Sequence, residues 1–240
     1  MQAWLERRFR LSEHHTTLRT ELLGEKPRFG NEIAPQVNAP FHQQIFAARL
    51  DPRVDGDANS VFEVNTASMP RGSENPHGNA FRAEEALLAN EQSAQRSVNS
   101  GSARFWRITN TQQRNRLGRP VSYRLIPGEN CPTFVQPDAA VMRRAGFAVH
   151  HLWVTPYEPA ERYPAGDYPN QHPTGDGLSR WTAANRNVTD TPVVVWYVFS
   201  HNHVPLPEDW PVMPVSSLGF WLKPDGFFEQ NPAMDLPPTV

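Results

Sequence analysis

The sequence predicts a mainly β protein with long ordered loops and little helix, and two observations predict it. Its 24 prolines among 240 residues are spread through the chain, which breaks helices repeatedly and favours short strands joined by ordered loops. The run Val193-Val-Val-Trp-Tyr-Val-Phe is β-branched and aromatic throughout, the pattern of a strand buried on both faces.

In chain order, residues 6–23 carry a helical pattern. Residues 44–50 and 60–66 read as strands, followed by a loop over 69–78. Residues 81–97 are rich in Ala, Leu, Glu and Gln, which is helical propensity, but the resemblance described below places strands there, and the strand reading is the one adopted. Further strands are expected at 103–109, 121–126, 150–154, 191–199 and 219–223. The loop over 157–179 contains Pro-Ala-Gly-Asp-Tyr-Pro-Asn-Gln-His-Pro-Thr-Gly-Asp-Gly-Leu, and loops of that length serve a site or an interface.

With 38% hydrophobic residues the chain can bury a sizeable core as one domain or part of a larger one. A net charge of -2, from 23 basic and 25 acidic residues without a basic stripe, offers no field for nucleic acid or a membrane surface. The single Cys131 excludes an internal disulfide framework and reads as a small loop residue. No apolar run reaches the length of a membrane span, and Met1-Gln-Ala-Trp-Leu-Glu-Arg-Arg lacks the apolar core of a secretory signal, so a soluble protein is expected, in no particular compartment.

Two distant stretches carry the chemistry. One reads Glu32-Ile-Ala-Pro-Gln-Val-Asn-Ala-Pro-Phe-His-Gln-Gln-Ile-Phe-Ala-Ala-Arg-Leu-Asp; the other reads Asn202-His-Val-Pro-Leu-Pro-Glu-Asp-Trp-Pro-Val-Met-Pro. Alternate residues of a strand share a face, so His-x-His on a strand aims two imidazoles at one point, and a third from a distant strand completes a site suited to copper. These stretches resemble the copper-binding segments of the copper amine oxidases. So do Arg104-Phe-Trp-Arg-Ile-Thr-Asn, His151-Leu-Trp-Val-Thr-Pro-Tyr, Tyr168-Pro-Asn-Gln, Gly175-Asp-Gly-Leu and Leu222-Lys-Pro-Asp-Gly-Phe-Phe-Glu-Gln-Asn-Pro-Ala. The resemblance runs nearly continuously over 29–240, with 1–28 as an unmatched segment, helical by pattern.

The resemblance implies the C-terminal part of that family's large antiparallel β-sandwich, a homodimer, and oxidation of primary amines by oxygen to aldehyde, ammonia and hydrogen peroxide. The cofactors implied are copper and topaquinone, a quinone made from a tyrosine of the enzyme. By position His42 and His203 match two copper ligands, while Gln44 stands where the other histidine belongs. An amide oxygen is a poorer copper donor than an imidazole, so affinity is expected to fall. His201, two residues before His203, is a candidate replacement on the same side of a continuing strand. Met213 reads as core filling, or else as packing near the metal. The family's peripheral hard-cation site would begin at Asp51, but Arg53 and Pro192 stand where further acids are usual, so its loss is expected.

The family's quinone arises from an Asn-Tyr-Asp/Glu-Tyr motif ahead of the histidine pair, with the catalytic aspartate further upstream. All five tyrosines here, Tyr123, Tyr157, Tyr163, Tyr168 and Tyr197, follow His42, so neither group is in this chain and no catalytic residue is assigned to it. The alternative is a non-catalytic β-sandwich that binds a partner through its strand edges. His150 and His151 are read as framework, and His14, His15, His77 and His172 carry no signal.

Overall fold

The computed structural model describes residues 2–12 and 29–235. Its strands are β1 (Gln2–Ser12), β2 (Gly30–Ala34), β3 (Val37–Pro40), β4 (His42–Asp51), β5 (Ser60–Ser68), β6 (Phe81–Leu87), β7 (Phe105–Arg114), β8 (Pro120–Pro127), β9 (Leu152–Pro156), β10 (Val193–His203) and β11 (Phe220–Asp225), and one short helix, α1, spans Leu178–Trp181. β1, β4, β10 and β9 form a four-stranded antiparallel sheet in that order, and a second antiparallel sheet runs β11-β8-β7-β5-β6. β2 and β3 make a separate hairpin. The mainly β expectation is met, with strands at every position expected from the sequence.

Alternation along the central strand explains the layering. Val193, Val195, Tyr197 and Phe199 of β10 point to one side, where they join Ala48 and Leu50 of β4 and Val61, Trp106, Ile108, Val121 and Leu125 of the second sheet. This is the core between the two sheets. Val194, Trp196 and Val198 point the other way, into a second cluster with Ile45, Ala47 and Trp153, closed over by Phe147, Ala165 and Leu178. β10 is therefore buried on both faces, as its unbroken apolar run requires.

The helical reading of 6–23 is corrected where it can be seen. Residues 2–12 form a strand paired antiparallel along β4, with an irregularity between Glu6 and Phe9, and residues 13–23 lie outside the described part. Pairing with an otherwise open strand edge overrides local propensity here. Residues 81–87 are a strand, as the resemblance implies and despite their Ala, Leu and Glu content, because β5 pairs with them from Ser68↔Phe81 to Phe62↔Leu87.

Glu63 of β5 holds the second sheet to the segment between β6 and β7. Its carboxylate accepts hydrogen bonds from Arg96 at 2.7 and 2.8 Å, from Asn65 at 3.2 Å and from Trp106 Nε1 at 3.2 Å, with Arg104 at 3.1 Å. Arg104 and Trp106 belong to the Arg-Phe-Trp-Arg motif, whose alternation sends both toward this acid. No helix among the described residues is long and apolar enough to cross a membrane.

Candidate metal centre

β4 and β10 run side by side past the end of the core, and the register places His203 opposite His42, Asn202 opposite Gln43 and His201 opposite Gln44. Since alternate residues share a face, His42, Gln44, His201 and His203 all lie on the side that further along carries Phe46 and Phe199. Directly opposite residues in an antiparallel pair have Cβ atoms about 4.5–5.5 Å apart. Residues far apart in sequence are thus brought to one patch by strand register alone.

The hydrogen bonds around the two rings set their tautomers. His42 Nδ1 lies 3.0 Å from the Pro40 carbonyl, and His203 Nε2 lies 2.8 Å from Asp209 Oδ2. Both partners are acceptors, so each of those nitrogens carries the hydrogen. In the neutral rings the lone pairs are then on His42 Nε2 and His203 Nδ1, which approach to 3.3 Å. Gln44 Nε2 is 3.4 Å from the same His42 nitrogen. Two nitrogens each about 2.0–2.1 Å from one metal ion are separated by about 2.9 Å at a right angle and about 3.3 Å at a tetrahedral one. The imidazole pair therefore fits a shared cation without backbone movement, with residue 44 placed beside it.

Asp209 anchors this corner. Its Oδ2 also accepts the Leu206 N–H at 2.9 Å, and that bond, then the one from His203, holds its carboxyl below the usual range. The segment it belongs to is pinned from the other side, where Asn31 Nδ2 donates to the Pro205 carbonyl at 2.8 Å. His201 and Gln44 line a cavity of about 570 Å³ together with Phe46, Phe199, His203 and Met213.

Of the positions expected from the sequence, His42, Gln44 and His203 converge. His201 stacks on His203, with ring centroids 6.4 Å apart and planes at 24°, so it is near the pair but not aimed at it. Among the described residues no three or more His, Cys, Asp or Glu side chains are arranged to hold a metal ion. Met213 is not core filling, being 51% exposed on the cavity wall, because the proline-flanked segment around it lies outside both cores. Arg53 reaches Asp57 at 3.4 Å and the Pro192 carbonyl accepts the Tyr157 N–H, so neither supplies the peripheral carboxylate that Asp51 would need beside it. His151 is a framework residue, bonded to the Val98 N–H and the Cys131 carbonyl at 3.2 Å each.

Sequence reasoning missed Asp209 and Gln43. Asp209 lies in the quoted Pro-Glu-Asp-Trp-Pro run, and its signal was a carboxylate a tight turn beyond a candidate ligand. Gln43 points to the opposite face from His42, where its amide donates to the Pro132 carbonyl at 2.7 Å and accepts the Phe134 N–H at 3.2 Å, fixing the loop beneath the site.

The family model described as copper amine oxidase, enzyme domain, matches residues 5–240. Histamine oxidase of Arthrobacter globiformis is 46% identical over 212 residues, covering 88% of this chain and 31% of that protein. The copper-containing diamine oxidase 1 of Nicotiana tabacum, named as peroxisomal, is 47% identical over 220 residues, covering 90% of this chain and 28% of its own length. Among solved structures, a copper-containing benzylamine oxidase from Hansenula polymorpha superposes with a TM-score of 0.82 at 32% identity, over 88% of this chain and 34% of that one. The chain thus spans 28–34% of the length of these proteins.

Proposed function

This chain belongs to the copper amine oxidase family, and from that membership we propose that it carries the copper-site portion of an amine oxidase enzyme domain. The reaction class is the oxidative deamination of a primary amine by dioxygen to an aldehyde, ammonia and hydrogen peroxide, in a homodimer. The activities named for the relatives, a histamine oxidase and a diamine oxidase, support that class.

Within it, His42 binds copper through Nε2 and His203 through Nδ1, with Gln44 as a weakened third position. The observation that carries this reading is the 3.3 Å approach of those two nitrogens, each ring held from behind by an acceptor. Copper and topaquinone supply the redox chemistry when present. The part played by these residues is to hold the metal, orient its imidazoles and wall the cavity beside it. All five tyrosines follow His42, so these 240 residues supply no quinone precursor in the family's motif, and amine turnover by them alone is not expected.

Copper content after loading and removal of loose metal tests the assignment. Near-stoichiometric retention is expected, lost in His42→Ala and in His203→Ala. Retention of none by the unmodified chain, or retention by both variants equal to that of the unmodified chain, would remove the metal role.

One observation favours a second reading, a β-sandwich that binds a partner along a strand edge. Among the described residues β6 pairs only with β5, and all seven of its residues, including Phe81, are exposed. A strictly monomeric chain in equilibrium ultracentrifugation, across the accessible concentration range, would argue against both the edge pairing and the homodimer.

A further inference from the structure

We propose that His201 supplies the third imidazole of the metal site, taking over across the strand pair the donor role that Gln44 cannot fill. The inference rests on the assignment of His42 and His203 as ligands.

The first argument is register. His201 stands directly opposite Gln44, as His203 stands opposite His42. The four side chains therefore form a two-by-two patch on one face, three imidazoles and one amide, with directly opposite Cβ atoms about 4.5–5.5 Å apart and same-strand neighbours about 6.8 Å apart. A donor displaced from position 44 to position 201 moves by one cross-strand step and stays on the same face. Displacement to 43 or 202 would send it to the other side of the sheet.

The second argument is what each ring is already committed to. His42 is held by the Pro40 carbonyl and His203 by Asp209, whereas the imidazole of His201 makes no side-chain hydrogen bond to a described residue and stacks on His203, with ring centroids 6.4 Å apart. Asp209 is engaged by His203 and by the Leu206 N–H, which keeps it behind the rings. His201 is thus the one further imidazole of the patch that can turn without breaking a hydrogen bond to the described residues.

The third argument is space and chemistry. His201, Gln44 and His203 line one cavity of about 570 Å³, so the ring can swing about its two side-chain bonds from the stacked position toward the meeting point of His42 Nε2 and His203 Nδ1. Imidazole suits Cu(II) and amide oxygen suits harder ions, so a metal offered both selects the nitrogen. Metal binding then moves one side chain, His201, while the two strands stay fixed.

Pulsed and continuous-wave electron paramagnetic resonance of the Cu(II)-loaded protein, with chelator competition for affinity, tests this. The unmodified chain is expected to show three coordinated imidazoles. His201→Ala and His201→Gln are expected to show two, with copper affinity lower by at least about tenfold, the lower end of what losing even an outer-shell partner costs. Adding Gln44→His to His201→Ala should return the third imidazole and the affinity, which shows that the His201 variants remain folded and lack only a donor. If the two His201 variants keep the imidazole count and affinity of the unmodified chain while His42→Ala loses copper, His201 is not a ligand and the site assignment stands. If His42→Ala also keeps its copper, the site assignment fails and takes this proposal with it. Folded variants in which Gln44→His restores nothing would also overturn it.

Discussion

His203 sits directly opposite His42 across β4 and β10, and the two rings meet edge-on, with centroids 4.8 Å apart and planes at 88°. The pairing is a consequence of burial far from the rings. β10 is packed on both faces, so a slip of one residue would drive Val193, Val195 and Tyr197 out of one core and Val194 and Trp196 out of the other. That penalty fixes the register, and the register fixes the imidazoles. No precise loop is needed to bring these two imidazoles together.

Asp209 should matter to the metal more than to the fold. It receives the hydrogen of His203 Nε2 and so keeps the lone pair on the nitrogen nearer His42. Removal of such an outer partner typically costs about 10–100-fold in metal affinity. Asp209→Ala is expected to show a loss in that range by chelator competition, and Asp209→Asn, which keeps an acceptor, a smaller one. Equal affinities in all three proteins would mean that the His203 tautomer is not set by Asp209.

Most of this was legible in the sequence for a physical reason that also explains the exceptions. β10 announces itself because a strand buried on both faces has no polar alternation to confuse it. β6 is hard to read because all of its residues are exposed, so composition reports propensity and not the pairing with β5 that decides its state. The helical reading fails at residues 6–12 because pairing with β4 is a long-range fact that a local pattern does not report. His42, Gln44 and His203 were found by motif. The support from Asp209 was not, because a turn that folds a carboxylate back onto a ring leaves no periodic trace. Met213 was placed in a core by its apolarity, yet the segment after His203 lies along the cavity rim.

Glu63 should dominate the acid limb of stability. Burial alone would raise its pKa, but hydrogen bonds from Arg96 and Asn65 and the charges of Arg96 and Arg104 outweigh it, and the net shift is downward. A carboxyl lowered by folding contributes stability that is present above its unfolded value, about 4.3, and is lost as pH falls through the folded value. Glu63→Gln leaves Arg96 and Arg104 without their anion, and breaking such a buried pair costs about 3–5 kcal/mol. Urea unfolding at neutral pH should show that loss, and the variant's stability should fall less steeply below pH ~4.3 than that of the unmodified chain.

His151 should produce a separate, milder decline. Its Nδ1 accepts the Val98 N–H and its Nε2 donates to the Cys131 carbonyl, so the neutral ring is fully bonded and a second proton has nowhere to go. Burial pushes its pKa down, and the Cys131 carbonyl offsets this only in part. The unfolded chain takes up a proton near pH 6.5 while the folded one does not, so stability drops as pH falls from about 6.5 to the folded value. His151→Gln should be less stable at pH 7 and flatter between pH 7 and 5, read by thermal unfolding of the metal-free protein. An unchanged slope would show that His151 already binds its proton in the fold.

The long loop over 157–177 should be intolerant of a single methyl group at Gly175. That residue has φ of +78°, and a Cβ there would overlap the Arg143 carbonyl, a backbone atom that cannot swing aside. Gly78 is the matched control, with φ of +68° but only the aliphatic part of the Arg71 side chain at 3.7 Å. A non-glycine residue held in this left-handed region costs about 1–3 kcal/mol, so Gly78→Ala should lose about that much. Gly175→Ala carries the same strain plus a backbone collision, and it loosens the segment that closes Ala165 and Leu178 over the outer core. Its loss should exceed that of Gly78→Ala clearly in paired urea titrations, with the far-UV spectrum of the surviving sheets retained. Equal losses would mean that the loop yields at Arg143, and that the outer core is not held by this contact.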